Sequence, residues 1–235
     1  MAGRADANRR RIMDIALSEL LRDADASMDQ IARAAGVVRR TVYGHFPSRD
    51  ALIVALVDDV AETVGAAHAA ALHGVDDPAE ALARSVLAVW EIADGYRLLI
   101  SLAQRSVTVE GIHRRLEPVR LETATVLQRG LDAGQFTSPL PVTALAYVRE
   151  QVIFGLMQAV NEGLLAPEDA GRSAAVTALA TLGVPVASAT ELVARILADD
   201  SPAGTENAAA RTENAAAPDA RASDAAVPGS GDIGV

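Results

Sequence analysis

MDQIARAAGVVRRTVYGHFPSRDAL, residues 28–52, decides the fold. Ser27 to Gln30 reads as a capping box, in which a hydroxyl and a carboxamide three residues apart satisfy the free N–H groups of a helix start. The helix it opens should stop near Gly36. A helix-turn-helix needs a small residue where its two helices touch, a glycine for the turn, and an apolar residue anchoring the second helix from beneath. Ala32, Gly36 and Val42 meet these demands in order, with Ile31, Ala35 and Val38 completing the buried side. Arg39, Arg40, Thr41 and Tyr43 are left outward, a surface suited to a major groove lined by phosphates. An ordinary corner between two helices with a solvated basic face would show the same spacing.

Outward from this stretch the helical period dominates and no alternating strand is visible. A first helix at about 8–22 places Ile12, Ile15, Ala16 and Leu20 on one face. After a short third helix, Ser48 caps a long one to about residue 72, and Asp77-Pro78 opens another to residue 95. Further helices are predicted at about 96–106, 110–133, 142–161, 167–182 and 188–198, the last led by a second capping box at Ser188 to Glu191. The fold class is therefore all-α, ten helices in all. Residues 201–235 contain TENAAA twice and almost nothing apolar larger than Ala, so they cannot offset their ordering entropy and should be a disordered tail.

Composition narrows the function. Half of the 235 residues are apolar but aromatics are only 3%, so the mass is Ala, Leu and Val, which favours close-packed helices. The absence of cysteine excludes a disulfide scaffold, a thiolate zinc site and a cysteine nucleophile. The net charge of −10 would argue against nucleic acid, but its distribution is uneven. Residues 1–49 hold nine Arg against six acids, and the remainder holds 12 Arg against 25 acids. A basic head sits on an acidic body. No secretory signal and no apolar run fit for a membrane span is read, so the expected location is cytoplasmic.

The run IARAAGVVRRTVYGHFPSRDAL resembles the signature of the tetracycline-repressor (TetR) family of bacterial transcription regulators: the Ala-Ala-Gly-Val turn, the Thr-x-Tyr-x-His-Phe run and the following Ser-x-x-x-Leu occur together. The resemblance covers about 25 residues. It implies an N-terminal helix-turn-helix domain, residues 1–50, joined to a helical ligand-binding and dimerisation domain, residues 51–200. It places Thr41, Tyr43 and His45 at backbone phosphates or nearby bases, Arg39 and Arg40 at base edges, and Phe46 in the domain's own core. Arg49 stands where the family usually has a Lys on a phosphate. One departure is plain: Val38 occupies a position where Ser or Thr usually caps the recognition helix, which puts that cap and one contact in question. Arg9 to Arg11 could add contacts from the N-terminal arm or be merely solvated.

The body carries no such motif and is read physically. The segment from Gly130 to Phe136 resembles the turn that commonly precedes the dimerisation helices of this family. Residues 142–160 are apolar almost all round, which asks for two neighbours, the chain's own core and, together with residues 168–182, a second subunit. Arg149, Glu150 and Gln151 interrupt that helix, as cavity-lining groups, an ion pair or interface contacts. With few rings in the body, Trp90, Tyr96 and Phe154 are candidate walls of a mainly apolar ligand pocket, and His113, Glu150 and Gln151 candidates for its polar groups. Arg120 could override the body's negative charge locally for an anion.

Catalysis finds no support. Glu110, His113 and Glu117 could share a face at metal-ligand spacing, but Arg114 and Arg115 beside them mark a solvated charged surface. His68 and His73 are off the helical repeat, and no phosphate-cradling glycine loop or nucleophile elbow is present. No catalytic residue, metal or cofactor is expected. The expected partners are double-stranded DNA at a palindromic operator, a small hydrophobic or amphipathic effector, and a second copy of the chain, with no membrane partner. Alternatives are a nucleoid-type DNA binder without effector and an interaction protein whose helix-turn-helix is vestigial.

Overall fold

The computed structural model describes residues 3–96 and 109–200. Among them lie ten helices and no strand: α1 (Arg4–Arg22), α2 (Met28–Ala34), α3 (Arg39–His45), α4 (Arg49–Leu72), α5 (Pro78–Gly95), α6 (Val109–Arg115), α7 (Glu117–Asp132), α8 (Val142–Asn161), α9 (Pro167–Ala180) and α10 (Val186–Asp199). The chain divides into two compact units, Met1–Val193 and Ala194–Val235. Of the second, the described part is the final turns of α10. The helix expected at about 96–106 and the tail at 201–235 lie outside the described residues.

Local chemistry explains most boundaries. Ser27 accepts from the Gln30 N–H at 3.3 Å while the Gln30 carboxamide accepts the Ser27 N–H at 2.7 Å, the reciprocal cap that opens α2. Ser48 and Asp77 cap α4 and α5 through the N–H groups of Ala51 and Glu80, at 3.0 and 2.8 Å. α1 begins four residues earlier than the apolar period suggests, because the Asp6 carboxylate holds the Gly3 N–H at 3.1 Å and favours the positive end of the helix.

Two expectations fail. The single helix expected at 110–133 is broken at Leu116, since Pro118 in the first turn of α7 has no N–H to donate and its ring would meet the carbonyl of an uninterrupted turn before it. α10 starts at Val186, before the capping box read at Ser188, because the Pro185 carbonyl already accepts the Ala189 N–H at 2.9 Å.

Two apolar regions organise the larger unit. The first joins Ile12, Ala16 and Leu20 of α1, Ile31 and Ala35 around α2, Val42 of α3, Phe46, and Leu52, Ile53 and Leu56 of α4. The second lies among α5, α7, α8 and α9, where α5 is flanked by α4 and α9. α4 serves both: its first half closes the N-terminal core and its second half faces the body. At about 1.5 Å per residue its 24 residues make a strut of about 36 Å.

Candidate functional site

The turn between α2 and α3 is built by backbone. Gly36 adopts φ +66°, its N–H bonds the Arg33 carbonyl at 3.1 Å, and the Val37 N–H bonds the Ala32 carbonyl at 3.0 Å. These are the two bonds of a Schellman termination, which needs a left-handed residue that only glycine adopts without steric cost. Val42 is wholly buried beneath α3 and Phe46 is 2% exposed. Val38, expected on the buried side, is instead 64% exposed: it is the N-cap of α3, with no side-chain hydrogen bond to offer. The first turn is closed by the Thr41 N–H on the Val38 carbonyl at 2.8 Å.

The outward side of α3 is basic but its cations differ. Arg39 is engaged, with Nη1 2.9 Å from Asp29, Nη2 donating to the Tyr43 hydroxyl at 3.3 Å, and the guanidinium 5.1 Å from the Tyr43 ring centroid. Arg40 is exposed and has no hydrogen bond or ion pair among the described residues. Thr41 and His45 are half-buried, the latter with its ring 6.3 Å from Phe46. Arg49 turns back onto its own domain, its Nε donating to the Ala26 carbonyl at 3.2 Å and its Nη2 to the Ala24 carbonyl. It clamps the chain between α1 and α2. Arg9 to Arg11, expected in an N-terminal arm, are instead part of α1, where Arg9 lies over the Phe46 ring at 5.2 Å and Arg10 is 3.9 Å from Asp59.

The body holds a cavity of about 110 Å³ walled by α4 to α8. Its polar wall groups are Arg115, Arg120, Thr123, Arg149 and Glu150; the rest are Val, Ala, Ile, Leu, Phe154 and Met157. Of the residues expected to shape a pocket, Arg149, Glu150 and Phe154 line it. His113, Glu150 and Gln151 do come together: the His113 Nδ1 pairs with Glu150, and the Gln151 amide lies 3.4 Å from the His113 Nε2. The His113 ring also meets Tyr147 and Phe154, with centroids 5.5 and 5.7 Å away. This cluster braces the wall from behind, with Glu150 also bound by Arg120 at 2.7 Å.

Trp90 and Tyr96 are elsewhere. Trp90 is 5% exposed and its ring lies against Gly171 of α9, where a Cβ would come within 3.0 Å of the indole. Tyr96 packs against the N-terminal core. Both are structural contacts of α5 and its end, and neither lines the cavity.

Two buried groups stand out here: Arg149 on the wall, one of three residues for which a cavity-lining role was among the expectations, and His68 beside it, for which none was. Arg149 is 7% exposed, donates from Nη2 to the Thr123 hydroxyl at 3.2 Å, and has no hydrogen-bond partner for Nε among the described residues. Burial pulls the Arg149 guanidinium down from its ordinary value to about 10, against the neighbouring Glu150 charge that favours the cation. His68 of α4, wholly buried, is pushed down from 6.5 to about 4 by burial and then by Arg149. Its ring nitrogens make no hydrogen bond, the Glu122 carboxylate being 3.7 Å away. The interruption of an apolar helix at residue 149 was the visible signal for Arg149; His68, set between alanines, gave none. Among the described residues no group of three or more His, Asp or Glu is placed to hold a metal, and no helix is long and apolar enough to cross a membrane.

Residues 22–56 match the model of the bacterial regulatory proteins of the tetR family. No curated protein matches the chain. Among solved structures it is similar to RolR, crystallised with its ligand resorcinol, at 23% identity and a TM-score of 0.58 over 81% of this chain and 95% of that one. It is likewise similar to the TetR-family regulator PfmR from Thermus thermophilus, at 19% identity and a TM-score of 0.59 over 74% and 98%. LfrR from Mycobacterium smegmatis, a TetR-like regulator in complex with proflavine, gives 22% identity and a TM-score of 0.59 over 76% and 98%. These likenesses establish a shared fold.

Proposed function

We propose, from the premise that this chain is a TetR-family regulator in its helix-turn-helix and its fold, that it works as a homodimer on a palindromic operator and releases it when a small organic effector enters the body cavity. The observation that carries the reading is the shared strut. α4 supplies Leu52, Ile53 and Leu56 to the core that holds the recognition helix, then Val57, Val60 and Val64 to the cavity wall. A second link runs from Arg115 on that wall, whose Nε donates to Asp58 of α4 at 2.5 Å. An occupant that moves α6 or α7 therefore tilts α4, and with it the spacing of two recognition helices that must reach successive major grooves, about 34 Å apart. The effector acts only through unequal affinity for the two conformations. The second copy covers the α8 surface where Tyr147 and Val148 are exposed, alongside α9. Such a regulator would be a repressor without catalytic residue or cofactor, working in the cytoplasm.

In this reading Arg40, the unengaged cation of α3, reads a base edge, and Tyr43 contacts a phosphate. Footprinting should reveal a protected palindrome, and its absence would refute operator binding in favour of a nucleoid-type or vestigial domain. Arg40→Ala should weaken operator binding by about 1–3 kcal/mol and relax preference at one position. Tyr43→Phe should weaken operator and random DNA alike. Equal losses on both DNAs for Arg40→Ala would refute its base-reading role.

A further inference from the structure

The cavity is apolar on most of its wall, yet one buried cation on that wall is incompletely used. Three of its four charged groups are accounted for. Arg115 is taken by Asp58, and Arg120 and Glu150 are taken by each other, with His113 on the second Glu150 oxygen. Arg149 has the neutral hydroxyl of Thr123 and an Nε with no acceptor among the described residues. His68 beside it is a neutral ring at pH 7 and brings no negative charge. A buried guanidinium with a free donor is costly unless an acceptor arrives, and an ionised acceptor repays more than a neutral one.

We infer that the cavity takes an amphipathic monoanion, a carboxylate on an apolar body, with its oxygens on Arg149 and its hydrocarbon against Val57, Val60, Val64 and Val86. This rests on the reading of the cavity as the effector site and names the chemistry of its occupant. A polyanion fits less well, since a second negative group would meet the apolar wall, Glu150, or Arg115 and Arg120, which are already held by Asp58 and Glu150. The geometry also disfavours a cationic ligand, which would face Arg149 across a region poor in screening water.

Isothermal calorimetry on the full chain with butanoate, hexanoate and octanoate, each against its alcohol and its amine, tests this without any variant. The carboxylates should bind about tenfold tighter than the alcohols, with the amines weakest. Alcohols that bind as tightly as the acids overturn the proposal, as does a series in which no carboxylate binds. Arg149→Met should erase the preference for acid over alcohol, whereas Arg149→Lys should keep part of it. A preference that survives Arg149→Met overturns the assignment. If Arg149→Met fails to fold, the wild-type comparison and Arg149→Lys still decide. Operator release, followed separately by fluorescence anisotropy of labelled DNA, reports on function. A carboxylate that binds through Arg149 but leaves DNA bound upholds this site and refutes the effector reading instead.

Discussion

His68 makes the folded chain acid-sensitive in a window that can be worked out from its surroundings. Its ring is wholly buried and without a hydrogen bond, and burial, reinforced by the Arg149 charge, holds it at about 4 against an ordinary 6.5. The Glu122 carboxylate at 3.7 Å pulls the other way, but it is about half exposed and its field is screened by water. The folded state thus keeps the ring neutral where the unfolded chain would protonate it. Stability from this group is fully present above pH 6.5, falls as the unfolded chain takes up the proton, and levels off below about pH 4. At about 1.4 kcal/mol per pKa unit the total loss is roughly 3 kcal/mol, of which about 1.4 is gone by pH 5.5. Many carboxylates also titrate in this range, so the measurement is a difference. Denaturant unfolding of the wild type and His68→Leu should be followed from pH 7.5 to 4.5, and the gap between the two curves should close or reverse by a few kcal/mol toward acid. A gap that stays constant with pH would refute the argument, as would a ring proton resonance titrating near 6.5 in the native protein.

Two other outcomes follow from particular contacts. A Cβ on Gly130 would lie 2.0 Å from Cδ2 of Phe136, a ring that is itself 3% exposed, so Gly130→Ala should cost about 1–3 kcal/mol and lower the melting temperature by several degrees. An unchanged melting curve would mean the end of α7 yields freely. Val148→Asp, on the exposed side of α8, should give a folded monomer by sedimentation that no longer holds the operator; an unchanged dimer would place the interface elsewhere.

The helix-turn-helix was legible because its requirements are local. Gly36, Ala32 and Val42 are fixed by a turn and a contact spanning about a dozen residues, and each of those residues has one physical task. The breaks at Leu116 and Val186 have local causes that an apolar period does not register. The apolar period runs across Leu116, but Pro118 costs a helix more than the period gains, and at Val186 a carbonyl already in place outranked a capping side chain two residues on. Periodicity reports which face is buried, and termini are settled by backbone groups one at a time.

The cavity was only partly legible, for a reason that lies in helical geometry. Residues 149, 150 and 151 stand together in the sequence, but successive side chains on a helix diverge by about 100°, so one interruption of an apolar run serves different ends. Arg149 is sunk against Thr123, Glu150 is held between Arg120 and His113, and Gln151 reaches His113, a residue 38 positions away. Nothing in the local pattern says which of the three is left short of partners. Rarity misled in the opposite direction at Trp90. A large ring in a body of Ala, Leu and Val marks the place where a neighbour has been cut back to make room, and here that neighbour is Gly171. Close packing there leaves the ring away from the cavity wall. The open space is bounded on α4 and α5 by Val and Ala side chains alone, and its larger and its charged groups come from α6, α7 and α8.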